Sequence, residues 1–242
     1  MKKIYAYCAS IKLAIPLMLL LTCAMIVGTL IESKYSTEIA QKYIYYHPWF
    51  IVLNVCIALN IFLATVIRYP FKKHQTGFVI THLGLLFIFG GSVTTQLSGI
   101  DGVLVLRENT RSNVVELRTE KETFLLPFIV SLKQFGLKED HSSGALMDYE
   151  SVVEIHGKNY TIRMNEPLKM NGFYLYQSSY QLDPKQGDIS IFSAGYDPGR
   201  SAKYFGSLFL VLGMVIMYWF KTGIFNVLTH KTTREENVEV AA

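Results

Sequence analysis

Cysteine is scarce: there are three in 242 residues, Cys8, Cys23 and Cys56, with no Cys-x-x-Cys pair and none beyond position 56. Thiol–disulfide catalysis therefore has no redox pair, and a disulfide in the C-terminal half is excluded. Over 97–203 no paired carboxylates, His-x-x-x-His or nucleophile elbow stands out. Asp140-His141-Ser142-Ser143 contains hydrolase residue types, but a triad is assembled from distant positions, and this polar stretch reads as a solvated loop. Charge is missing where it matters most. Leu13 to Ile31, Phe50 to Ile67, Gly77 to Gln96 and Tyr204 to Phe220 contain no Asp, Glu, Lys or Arg. Each run is about 17 to 20 residues, long enough to cross ~30 Å of hydrocarbon.

Half of the residues are hydrophobic, and the charges cluster between these four runs, so a lipid bilayer is the expected surrounding. The first run follows Lys2 and Lys3 as a signal peptide would, yet it is too long for a signal core and ends without a small-x-small cleavage pattern. It reads as a retained anchor. Lys2, Lys3 and Lys12 precede the first helix, Arg68, Lys72 and Lys73 lie between the second and third, and Lys221, Lys231 and Arg234 follow the fourth. The positive-inside rule places these clusters, and both termini, in the cytoplasm. The net charge of +4 comes mostly from these anchors and gives no reason to expect nucleic acid.

Between the first two spans, Tyr35, Ile39, Tyr43 and Tyr46 fall on one face of a short interfacial helix, and Tyr45 to Trp49 form an aromatic belt. The period changes after position 97. Gly102 to Arg107, Asn113 to Arg118, Phe128 to Gln134, Ser151 to His156, Tyr160 to Met164, Phe173 to Ser178 and Ile189 to Ser193 alternate like strands. Glu108-Asn109, Gly157-Lys158-Asn159 and Asn171-Gly172 punctuate them as turns, and Lys138 to Gly144 reads as a loop. The expected architecture is membrane α + β: four transmembrane helices with an antiparallel, sandwich- or barrel-like domain between helices three and four. Its parts are a three-helix region over 1–96, an extracytoplasmic β-rich domain over 97–203, a fourth span over 204–221 and a cytoplasmic tail over 222–242.

His82 is the sharpest single residue, an ionisable group roughly 8 Å inside the third span. In hydrocarbon its imidazole is expected neutral, and a neutral imidazole suits a haem or metal, a proton relay, or a hydrogen bond to a neighbouring helix. Asn60, at a similar depth in the second span, is a candidate for that last partner; Asn54 and Asn60 both read as interhelical hydrogen-bonding groups. Gly84, Gly90 and Gly91 would admit a neighbouring helix or a flat ligand, with helix packing the plainer role. His47 in the aromatic belt is a second, weaker ligand candidate. Asp197-Pro198-Gly199-Arg200 reads as a turn into the last span.

An ordered set of short motifs runs through nearly the whole chain. It comprises Ser10-Ile11-Lys12-Leu13-Ala14, Val27-Gly28-Thr29, Trp49-Phe50, Arg68-Tyr69-Pro70, His82-Leu83-Gly84 and Gly90-Gly91. Gly99, Gly102, Leu106, Leu126-Pro127-Phe128, Tyr149-Glu150-Ser151, Asn165-Glu166-Pro167-Leu168, Tyr176 to Tyr180, Asp197-Pro198-Gly199 and Gly206 continue it. Taken in order, they resemble the ResB (CcsB) family of system II cytochrome c biogenesis. The resemblance implies a subunit of the inner membrane working beside a ResC (CcsA)-type partner. Together such proteins carry haem b outward and attach its vinyl groups to the thiols of Cys-x-x-Cys-His in apocytochrome c.

The resemblance makes His82 an axial ligand to haem iron, with haem held transiently. It puts the catalytic haem site in the partner family, whose tryptophan-rich segment is flanked by histidines. Here the two tryptophans, Trp49 and Trp219, lie far apart. Many relatives carry a longer outer domain than this chain. The alternative is a scaffold that binds no haem and stabilises the partner or docks apocytochrome c.

Overall fold

In the computed structural model, residues 2–118, 122–139 and 146–221 are described. They divide into two compact units: Met1–Tyr35, Tyr43–Gln96 and Gly199–Ala242 form one, and Ser36–Lys42 with Leu97–Pro198 form the other. The short segment expected to belong with the first three helices thus groups with the strands.

The first unit is helical. A seven-residue helix α1 (Lys2–Cys8) precedes α2 (Ile11–Lys34), with Ser10 as the extended N-cap residue between them. Helix α4 (Pro48–Val66) starts with proline in its first turn, where a missing N–H goes unneeded. Its buried residues Phe50, Leu53, Asn54, Ile57 and Asn60 recur at helical spacing and make one face. A side-chain carbon at Gly28 of α2 would run into the Tyr45 ring, while Asn60 meets the α1–α2 break, so α2 and α4 run antiparallel.

Helices α5 (Thr76–Ser98) and α6 (Arg200–Lys221) pack backbone to backbone. The buried residues of α5 are Gly77, Gly84 and Gly91, one every seven positions. They face Gly213 and Gly206 of α6, and Gly199 just before it, in reverse order. A Cβ at Gly84 would lie 2.6 Å from the Leu210 nitrogen and 2.7 Å from the Gly206 oxygen, so only glycine permits this approach. Lys203 Nζ donates to Thr95 Oγ1 at 3.0 Å further along the same seam. Among the described residues four helices, one for each run expected to span, are long and apolar enough to cross a membrane.

The second unit carries the short helix α3 (Thr37–Ala40), which Ser36 caps by accepting from the Ile39 N–H. A π-helical turn, Gln41–Tyr45, follows it, so the expected interfacial helix is broken in two. The strands are β1 (Ile100–Arg107), β2 (Arg111–Leu117), β3 (Thr123–Glu139), β4 (Leu146–Ile155), β5 (Lys158–Arg163), β6 (Leu168–Met170), β7 (Phe173–Gln181) and β8 (Ile189–Tyr196). All seven expected strands are present. The short β6 is additional, and β3 starts earlier than its alternation suggests.

The antiparallel sheet has the order β5-β4-β3-β2-β1-β8-β7-β6. His156 and Gly157, both at positive φ, make the two-residue β4–β5 turn, and Asn171-Gly172 does the same between β6 and β7. Leu104, Leu106, Val115, Phe128, Val130, Leu132, Val153, Ile162, Leu175 and Phe192 fill one buried core. Register shifts in β2, β3 and β7 bend the sheet around it. Buried Ser151 of β4 bonds Ser190 of β8 at 2.8 Å, although three strands separate them in the sheet. The sheet is therefore strongly curled, barrel-like, with β5 brought against β6 and β7.

Candidate functional site

His82 lies half-buried on α5, one position past Thr81 and so off the glycine seam. Its Nδ1 is 3.0 Å from the Phe78 carbonyl one turn earlier. A carbonyl only accepts, so the neutral ring must carry its proton on Nδ1. Nε2 then holds the free lone pair, and it makes no hydrogen bond among the described residues. A backbone carbonyl that fixes the tautomer of an imidazole in this way is a common arrangement behind metal-ligating histidines.

The Phe78 ring lies against the imidazole with centroids 3.8 Å apart, which orients the ring plane. Arg68, just beyond the end of α4, lies against the same phenyl ring, its guanidinium carbon 4.3 Å from the centroid. Arg68 is exposed and donates to the Ala64 carbonyl at 2.9 Å.

The hydrogen-bond partner considered for His82 is engaged elsewhere. Asn60 donates from Nδ2 to the carbonyls of Cys8 (2.6 Å) and Ser10 (3.2 Å) at the α1–α2 break, where the Ser10 oxygen also accepts from the Leu13 and Ala14 N–H groups. Asn54 is buried, and its Nδ2 has no partner among the described residues.

His47 has the opposite electronic arrangement to His82. Its Nδ1 accepts from the Trp49 N–H at 3.4 Å as the N-cap of α4. The neutral ring must then carry its proton on Nε2, so neither nitrogen offers a free lone pair while the cap holds. Gly84 and Gly91 are taken up by α6, whereas a Cβ at Gly90 would meet nothing within 4 Å. Gly199, expected only in a turn, is part of the seam as well. The packing role expected of Gly84 and Gly91 thus holds, while Gly77 and Gly213 carry no local signal, because the seam shows only as a spacing of seven in two distant segments.

In the β-unit the polar interior is a closed network. Ser151 Oγ donates to Gln177 Oε1 at 2.7 Å, and Gln177 Nε2 donates to Ser190 Oγ at 2.7 Å. On the surface Arg107 donates to Asp183 at 2.8 Å, which holds that carboxyl below the usual aspartate range; the Lys185 N–H adds to the effect. Asp140 to Ser143 lies outside the described residues. Among those described, no group of three His, Cys, Asp or Glu side chains converges as a metal polyhedron would require.

Four apolar helices joined to an antiparallel β-domain define a membrane α + β protein. The ResB-like family model matches residues 73–194, half of the chain, and the chain belongs to that family. It is also 31% identical over 127 residues to Protein NrfI of Wolinella succinogenes, an alignment covering 50% of this chain and 14% of that protein. The chain thus matches about a seventh of the length of this relative. A solved structure titled Cytochrome c Heme Lyase CcmF aligns over 84% of this chain and 34% of its own length, with a TM-score of 0.41 and 12% identity.

Proposed function

We propose that this chain is a membrane subunit of a system II cytochrome c biogenesis complex. It takes part in delivering haem b across the inner membrane and in its covalent attachment to apocytochrome c, beside a ResC (CcsA)-type partner. Both termini lie in the cytoplasm in this reading, and the β-domain lies outside, where it meets the partner or apocytochrome. Membership of the ResB-like family supports the pathway.

The observation that carries the haem reading is the His82 ring, tautomer-fixed by Phe78 and left with an open Nε2 lone pair in an apolar helix. These residues fit a haem iron: a neutral imidazole donor, a flat aromatic neighbour and a stretch of helix around them that carries no charge. Haem supplies the iron that accepts this lone pair and the vinyl groups that become thioether links. The chain's own part is to hold the imidazole neutral, aim it, and keep water from its apolar flank. No catalytic residue is assigned here, since the covalent chemistry belongs to the partner in this reading.

The test is the haem content and reduced absorption spectrum of the protein purified with its partner, for wild type and His82→Ala. Haem lost from the variant and restored by added imidazole supports axial ligation. Unchanged haem and spectrum would favour a scaffold that stabilises the partner or docks apocytochrome c.

A further inference from the structure

We propose that Arg68 is the anchor for a propionate carboxylate of the haem held at His82, and so orients that haem in the membrane. The inference rests on the reading of His82 above. Its first support is position: Arg68 follows α4 and His82 is on α5, yet both lie against one phenyl ring, at 4.3 Å and 3.8 Å from the Phe78 centroid. The guanidinium is therefore within about 8 Å of the imidazole, by the sum of these two separations.

The second support is that the cation has no carboxylate partner among the described residues. No Asp or Glu occurs between Glu38 and Asp101, and α6 contains none. Among the described residues of the helical unit Glu32 is the one carboxylate, at the C-terminal end of α2. Gly28 faces Tyr45 at that end and Asn60 meets Ser10 at the other, so Glu32 lies at the end of the bundle away from Arg68.

The third support is that the side chain is held while most of its donors stay open. One of five N–H groups is given to the Ala64 carbonyl, and the flat face rests on Phe78. A planar fork of N–H donors, with no carboxylate against it among the described residues, matches a carboxylate in both shape and sign. An arginine that merely reaches for the headgroup layer has no need of a place on the ring that orients His82. Haem ligated through His82 Nε2 carries two propionates, and the guanidinium is suited to receive one of them. That contact would keep the carboxylate edge toward this end of the helices and the vinyl edge deeper.

The experiment uses the full chain with its partner in nanodiscs, depleted of haem and titrated with ferric haem and with haem dimethyl ester. Wild type, Arg68→Gln, Arg68→Lys and His82→Ala are compared by their Soret bands. Wild type should prefer the free acid over the ester by about tenfold, the size of one charge-assisted hydrogen bond. Arg68→Gln should lose that preference without loss of ester affinity, and Arg68→Lys should keep part of it.

Equal loss for both ligands would make Arg68 a packing residue acting through Phe78 and overturn the proposal. So would an unchanged preference in Arg68→Gln, or a preference that emerges only when anionic lipid is omitted, which would assign the guanidinium to lipid phosphate. The His82 reading fails separately, if His82→Ala retains the wild-type band with both ligands.

Discussion

Gly84→Ala tests the helix seam with a single methyl group. The new carbon would sit 2.6 Å from the Leu210 nitrogen and 2.7 Å from the Gly206 oxygen, both backbone atoms that cannot rotate aside. Ordinary carbon contacts lie near ~3.5 Å, so the helices must part locally by roughly 0.8 Å, a gap that forfeits a quarter to a half of each dispersion well. Around 20 atom pairs at ~0.15 kcal/mol each then lose about 1 kcal/mol. The hydrogen that the methyl replaces points at the Gly206 carbonyl, and losing such weak Cα–H···O contacts costs about 1–2 kcal/mol for a reciprocal pair.

Alanine returns up to about 1 kcal/mol through its better helix propensity. The net expectation for Gly84→Ala is a destabilisation of about 1–2 kcal/mol. Gly90→Ala on the same helix meets nothing within 4 Å and should be neutral or stabilising by up to about 1 kcal/mol. Reversible unfolding of the purified full chain in mixed micelles, followed by circular dichroism, reads both. If the two variants shift stability in the same direction, the seam does not bear on glycine and the reasoning is wrong.

Two further outcomes follow from the β-unit. Ser151→Ala leaves Gln177 Oε1 and Ser190 Oγ each short of a buried partner and should cost about 1–3 kcal/mol. A double-mutant cycle with Ser190→Ala, followed by chemical denaturation, should show coupling between the two positions, and additive losses would count against a shared network. Asp183 has its folded pKa depressed by the Arg107 hydrogen bond, so its stabilisation is present above the ordinary aspartate pKa and lost as pH falls through the folded value. Wild type should therefore lose unfolding midpoint relative to Asp183→Asn below about pH 4, and parallel profiles would remove Asp183 from the acid response.

The parts of the fold legible in the sequence are those with local signals. Four uncharged runs mark the long helices because a single charge in hydrocarbon is so costly that its absence is informative. Alternation finds seven strands, and Asn171-Gly172 finds a turn, because its two positive φ angles suit those residue types. The features that were not legible depend on distant partners. Pro127 breaks the apparent alternation of β3, yet it falls where the β2 register shifts, so the strand continues through it from Thr123. Asn60 reads as an interhelical group, but its acceptors come from a helix break that no propensity announces. The glycine seam needs two series, 77/84/91 and 199/206/213, to be set antiparallel before either acquires a meaning.

Residue type alone does not separate His47 from His82, since both lie in or beside apolar helices. Their hydrogen bonds do. Nδ1 of His82 faces an oxygen that can only accept, and Nδ1 of His47 faces an N–H that can only donate. The first arrangement opens Nε2 as a Lewis base, and the second closes it. A lone pair open in an apolar helix remains useful only if the ligand brings its own remaining coordination, because no other ligating group converges there among the described residues. In the proposed reading haem would meet that condition, and its propionates would bring negative charge to the Arg68 end, where the helical unit holds no carboxylate among the described residues. The chemistry of one side-chain nitrogen and the scarcity of carboxylates in the helices thus point to the same ligand.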